Sequence, residues 1–97
     1  MNIQAEMKKY EDMGVFNGLQ LDEIRWGLME GFDVNVYAKP EFDCRQMEQI
    51  LCGLEKGLDV SIYAKEEFDW EQMQALRLLI ENGITKSMLA PVLKLLP

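Results

Sequence analysis

The chain has 97 residues, 48% of them apolar, and carries a formal charge of −7 from 17 acidic residues against 10 Lys and Arg. That is the composition of one globular domain, and its sign argues against ordinary nucleic-acid binding, which takes its affinity from cations meeting phosphates. No residue is His, which removes the commonest general base and the commonest metal ligand, so no catalytic residue, cofactor or metal site is assigned.

The N-terminal stretch Met1–Tyr10, MNIQAEMKKY, lacks the apolar core and small-residue cleavage site of a signal peptide. No apolar run approaches the ~20 residues of a membrane span. Cys44 and Cys52 lie eight residues apart, about 12 Å along one helix and beyond disulfide reach, so two free thiols and a cytoplasmic setting are expected.

From Phe16 onward the sequence repeats with a period of 26 residues. Residues 16–41, FNGLQLDEIRWGLMEGFDVNVYAKPE, and residues 42–67, FDCRQMEQILCGLEKGLDVSIYAKEE, match at 12 of 26 positions without a gap. A third copy starts at Phe68 and keeps Asp69, Gln72, Met73, Gly83, Ser87 and Ala90 in frame. Residues 1–15 read as the degenerate tail of a preceding unit, with Tyr10 one residue out of register with Tyr37 and Tyr63. The expected organisation is one domain of four parts: 1–15, 16–41, 42–67, and 68–97 with a C-terminal cap.

Each copy marks its own helix ends. Asn17, Asp43 and Asp69 are N-cap residues followed three positions later by Gln20, Gln46 and Gln72, the capping-box spacing. Phe16, Phe42 and Phe68 precede the caps, with Leu21, Met47 and Met73 at hydrophobic-staple spacing. Gly31, Gly57 and Gly83 stand where a left-handed residue ends a helix. Long helices are therefore predicted over 18–30, 44–56 and 70–82. After each glycine, Asp33, Asp59 or Thr85 caps a short α or 3₁₀ turn: VNVYA, VSIYA or KSMLA. Pro40 closes the first turn, and Val92 to Pro97 read as a last apolar turn after Pro91. The fold class is all-α: three tandem helix-turn-helix units stacked as a small right-handed helical array.

The stripe Leu21, Ile24, Leu28; Met47, Ile50, Leu54; and Met73, Leu76, Ile80 is assigned to the core with Tyr37, Tyr63, Ala38 and Ala64. Glycine inside a helix costs roughly 0.5–1 kcal/mol relative to alanine. Gly27 and Gly53 therefore predict a close neighbour, a backbone or a tyrosine ring, which Leu79 of the third copy would lack. Trp26, Cys52 and Leu78 point away from the stripe. Helices in a stack bury two sides, so these residues are expected to pack on the next unit; the alternative is an interface anchor.

Seventeen carboxylates offer no pinned acid–base pair, and the chain is read as non-enzymatic. Gln74–Leu93, QALRLLIENGITKSMLAPVL, has the outline of a helix-turn-helix. Its second helix offers only Lys86 and Lys94 to a nucleic acid, which makes DNA reading a remote alternative. Leu19, Asp22, Glu23, Trp26 and Glu30 of the first helix, with Glu48, Glu55 and Trp70, form the candidate partner-binding set. Aromatics anchor interfaces and charges steer association toward a basic partner. Residues 1–67 carry the whole charge of −7, and residues 68–97 are neutral.

The string GLEKGLDVSIYAK–EEFDWEQM resembles a short helical repeat, GLExGLDVSxYAxPxFDxxQMxxI, of bacterial and mobile-element proteins. The resemblance covers residues 16–83; Pro40 matches its proline and Glu66 departs from it. It implies a helical-repeat fold and brings no catalytic residues. The setting it implies is the cytoplasm of a bacterial or phage-infected cell. By analogy of size and charge, it implies an inhibitor in the style of anti-CRISPR or antirestriction proteins, acting on a basic nucleic-acid-handling protein. The alternative function is a general adaptor for protein–protein assembly.

Overall fold

The helix starts follow from the caps. In the computed structural model, which describes residues 2–95, α1 (Ile3–Asp12) is capped by Asn2, whose side chain accepts from the Ala5 amide at 3.3 Å. The three capping boxes close in full at α2 (Gly18–Met29), α3 (Cys44–Glu55) and α4 (Trp70–Glu81). At α3, Gln46 N donates to Asp43 Oδ1 at 2.8 Å while Asp43 N donates to Gln46 Oε1 at 2.9 Å. Replacing such a cap typically costs about 0.5–2 kcal/mol.

The ends are equally regular. Gly57 has φ +70°, its N–H donates to the Leu54 carbonyl at 3.1 Å, and Leu58 N–H donates to Gly53 at 2.9 Å. Those two bonds define a Schellman motif, and Gly31 and Gly83 repeat it after α2 and α4. The three long helices thus begin where predicted and end one residue earlier, on cap residues Glu30, Lys56 and Asn82.

Two of the short elements are 3₁₀ turns, Val34–Val36 and Val60–Ile62, capped by Asp33 and Asp59. The third is a full helix, α5 (Lys86–Leu93), opened by Thr85 and running through Pro91. The sequence predicts a short turn over KSMLA and a separate apolar turn after Pro91, where the structure has one helix. The proline sits in the second turn, where it removes only the bond to the Ser87 carbonyl, and both residues are exposed. The apolar turn predicted after Pro91 closes on the core through Leu93 alone, with Val92 and Leu95 exposed; Leu96 and Pro97 lie outside the described residues. Among the described residues the chain is all-helical, without strands.

Helices pack in chain order, α1 on α2, α2 on α3 and α3 on α4. The radius of gyration is 14.0 Å, against about 12.5 Å for a spherical chain of this length. The extents of 42 × 24 × 15 Å describe an elongated stack one helix thick.

Two contacts join neighbours, each occurring twice at an offset of 26 residues. Gln20 Nε2 donates to the Phe42 carbonyl at 2.7 Å, and Gln46 Nε2 to the Phe68 carbonyl at 2.6 Å. One glutamine therefore closes its own cap and holds the entry to the next helix. The second contact explains the helical glycines. Tyr37 donates its hydroxyl to the Glu23 carbonyl at 2.6 Å, and Tyr63 to the Gln49 carbonyl at 2.7 Å. A Cβ on Gly27 or Gly53 would collide with that hydroxyl, so only glycine leaves the notch open. Both rings are wholly buried, with Ile24, Met47, Ile50 and Met73. In α4, Leu79 takes the glycine position and the buried Leu89 the tyrosine position. In α1, Tyr10 is buried but makes a different contact, its hydroxyl meeting Asn35 Oδ1 at 3.4 Å and its ring the edge of Phe16.

Candidate functional site

Burying one stripe of α2 and α3 leaves the opposite stripe facing outward. On α2 it runs through Leu19, Asp22, Trp26, Met29 and Glu30 at helical spacing. Leu19 is 63% exposed, Trp26 55% and Met29 62%. The expectation that Trp26 packs on the next unit is thus corrected, and so is the same expectation for the exposed Leu78; Cys52 is half-buried. Stacking in one thin layer leaves the outer stripe of each long helix uncovered.

The four glutamates of the candidate set come together across α2 and α3. Burial raises the Glu23 carboxyl above its ordinary value, and the charges of Glu48, Asp22 and Glu55 push it further. Glu55 is raised by desolvation and by the neighbouring Glu30 carboxyl. Cys52 lies among them, its thiol pushed up by burial against the opposing pull of Arg77, and further by Glu55, Glu48 and Glu23. Such a thiol is a poor nucleophile. Asp22 is paired with Arg25 at 3.1 Å on the exposed surface, a contact of little energetic weight.

Trp70 stands apart from this group. It is half-buried at the start of α4, with the Arg45 guanidinium 5.3 Å from its ring centroid. Arg45, Glu48, Gln49, Trp70 and Gln74 line an open cleft of about 180 Å³ between α3 and α4. Beside it, Arg77 donates to Gln49 Oε1 at 3.1 Å and to Glu81 Oε2 at 2.6 Å, while Lys56 reaches Glu81 Oε1 at 2.8 Å. The Lys56 ammonium accordingly holds the Glu81 carboxyl below its usual range, helped by Arg77. The acidic field is therefore paired off at α4 and only partly offset between α2 and α3, where Lys56 draws on Glu55 and Arg25 pairs with Asp22.

Sequence reasoning missed Met29, which the spacing of three from Trp26 would have revealed. It also missed the Arg45–Trp70 pair, which joins different helices and leaves no local signal. Among the described residues, no three His, Cys, Asp or Glu side chains are grouped to hold a metal ion, and no helix is long and apolar enough to cross a membrane. No protein-family model matches the chain, and no curated protein or solved structure does either.

Proposed function

We propose that the chain is a non-catalytic protein-binding module whose acidic α2–α3 face docks on the basic surface of a nucleic-acid-handling protein, as an inhibitor of anti-CRISPR or antirestriction style. In this reading the scaffold is three tandem 26-residue helix-turn-helix units in a right-handed array, working in the cytoplasm of a bacterial or phage-infected cell. The observation that carries the reading is the meeting of Glu23, Glu30, Glu48 and Glu55 beside an exposed Trp26 flanked by Leu19 and Met29. Carboxylates that destabilise one another when charged gain from a partner's cations, and a half-exposed indole with aliphatic neighbours supplies an apolar anchor. Charge complementarity of this kind acts chiefly on association rate and specificity.

Affinity capture from a bacterial lysate at low and high salt, followed by mass spectrometry, identifies the partner. The expected partner is basic, is competed off by nucleic acid, and associates more slowly once salt shortens the Debye length below ~8 Å. Glu23→Lys with Glu30→Lys should weaken binding and leave the helical circular dichroism unchanged, and Trp26→Ala should weaken binding without lowering thermal stability. Retained partners that are neither basic nor nucleic-acid-binding, with affinity indifferent to salt, would replace this reading with the adaptor function.

A further inference from the structure

We propose that the outer side of α4 and α5 is a self-association surface on which a second copy of this chain packs about a two-fold axis. Positions 26 apart make the case. Gln46, Gln49 and Ile62 are buried, with Gln46 bonded to the Phe68 carbonyl and Gln49 to Arg77. Their counterparts are uncovered: Gln72 is half-buried, Ala75 is exposed and Met88 is 60% exposed. Among the described residues no element lies over this side of α4. A stack that ends in water needs a polar end. This one instead turns more apolar where it is uncovered, replacing Gln49 by Ala75, with Leu79 on α4 and Met88 and Val92 on α5 also exposed.

Charge and the opposite end select the occupant. Residues 68–97 are neutral and residues 1–67 carry −7, so two copies meet here without the like-charge repulsion that opposes contact through their acidic faces. The other end of the stack is closed by α1, which turns Gln4, Lys8, Glu11 and Asp12 outward, with Lys8 and Asp12 paired at 3.3 Å. That charged face of α1 offers head-to-tail growth little apolar surface, although Met13 and Val15 just after the helix are exposed. Contact through the same face on both copies closes as a dimer. With 24 and 15 Å as the shorter extents of the molecule, two end faces bury roughly 700 Å², below the ~1,000 Å² of a stable specific interface. The dimer is therefore weak and concentration-dependent.

Sedimentation equilibrium of the full chain, from about 1 µM to about 1 mM, should show monomer giving way to a doubled mass. Met88→Lys should weaken the dimer by about tenfold or more with an unchanged helical spectrum, and Val92→Lys should do the same should the first variant lose structure. Met88→Leu and Glu23→Lys should leave the dimer intact, which separates this surface from the acidic face. A monomer at every concentration, open-ended growth, or a dimer indifferent to both lysine variants would overturn the proposal.

Discussion

Replacing Gly53 by Ala should destabilise the protein, although alanine ordinarily gains about 0.5–1 kcal/mol over glycine inside a helix. The new Cβ would run into the Tyr63 hydroxyl and stand 2.6 Å from Val60 Cγ1 and 3.2 Å from Tyr63 Cζ. Tyr63 is wholly buried, so its ring cannot swing out into solvent. Overpacking of this kind costs about 1–3 kcal/mol. A hydroxyl torn from the Gln49 carbonyl and left buried costs about 1–3 kcal/mol more. After subtracting the helical gain, the expected loss is about 1–5 kcal/mol, centred on about 3 kcal/mol. At about 4–8 °C per kcal/mol for a domain of this size, the central value lowers the melting temperature by roughly 12–24 °C. Thermal melts by circular dichroism and urea unfolding would measure it. Tyr63→Phe deletes the colliding oxygen, so the double variant should be less destabilised than the two single losses together. A Gly53→Ala protein that melts at or above the parent temperature would refute the idea that the tyrosine occupies the glycine notch.

Gly57→Val should lower stability by about 1–3 kcal/mol in the same melts. The site has φ +70° and open space around a would-be Cβ, so strain and not collision is the cause, and Gly57→Asn should be milder. Gln46→Ala should cost about 1–2 kcal/mol more than Gln72→Ala, measured by urea unfolding, because Gln46 closes its cap and also satisfies the Phe68 carbonyl. Glu23 carries a carboxyl raised on folding, chiefly by burial and then by Glu48. Its contribution to stability is present below the ordinary carboxylate value and is lost as pH rises through the raised one. Glu23→Gln should therefore melt above the parent at neutral pH, and the difference should vanish by about pH 4, which a pH series of melts will show.

The helical skeleton was legible because its signals are local. A cap, a glutamine three residues on and a glycine after the last turn fix each long helix without reference to the rest of the chain. The notch at Gly27 and Gly53 was legible for a different reason: an unfavourable residue recurring at one helical position implies a neighbour, and the tyrosines were available. What escaped depended on distance through space. Trp26 is turned to solvent because the stack is one helix thick, and no helical wheel reports thickness. The Arg45–Trp70 pair and the Lys56–Glu81 bridge join separate elements, and nothing in the spacing within one helix announces them; Arg77–Glu81, four residues apart on α4, is the local exception. The turn over KSMLA and the turn after Pro91 are one helix because a proline breaks a helix only where its missing bond and its ring cannot be accommodated. In the second turn of a short exposed helix both are tolerated.

The glutamine shared between a cap and its neighbour also sets how the molecule comes apart. Gln46 holds the first turn of α3 and the chain entering α4 through one amide, so fraying of that turn and release of α4 are a single event. Because α1 to α4 pack each on the next in chain order, a boundary between ordered and melted segments fits between helices and not within them. Amide hydrogen exchange should then fall into blocks rather than a smooth gradient. α3, flanked on both sides, would exchange last, while α5, which buries only Leu89, would exchange first.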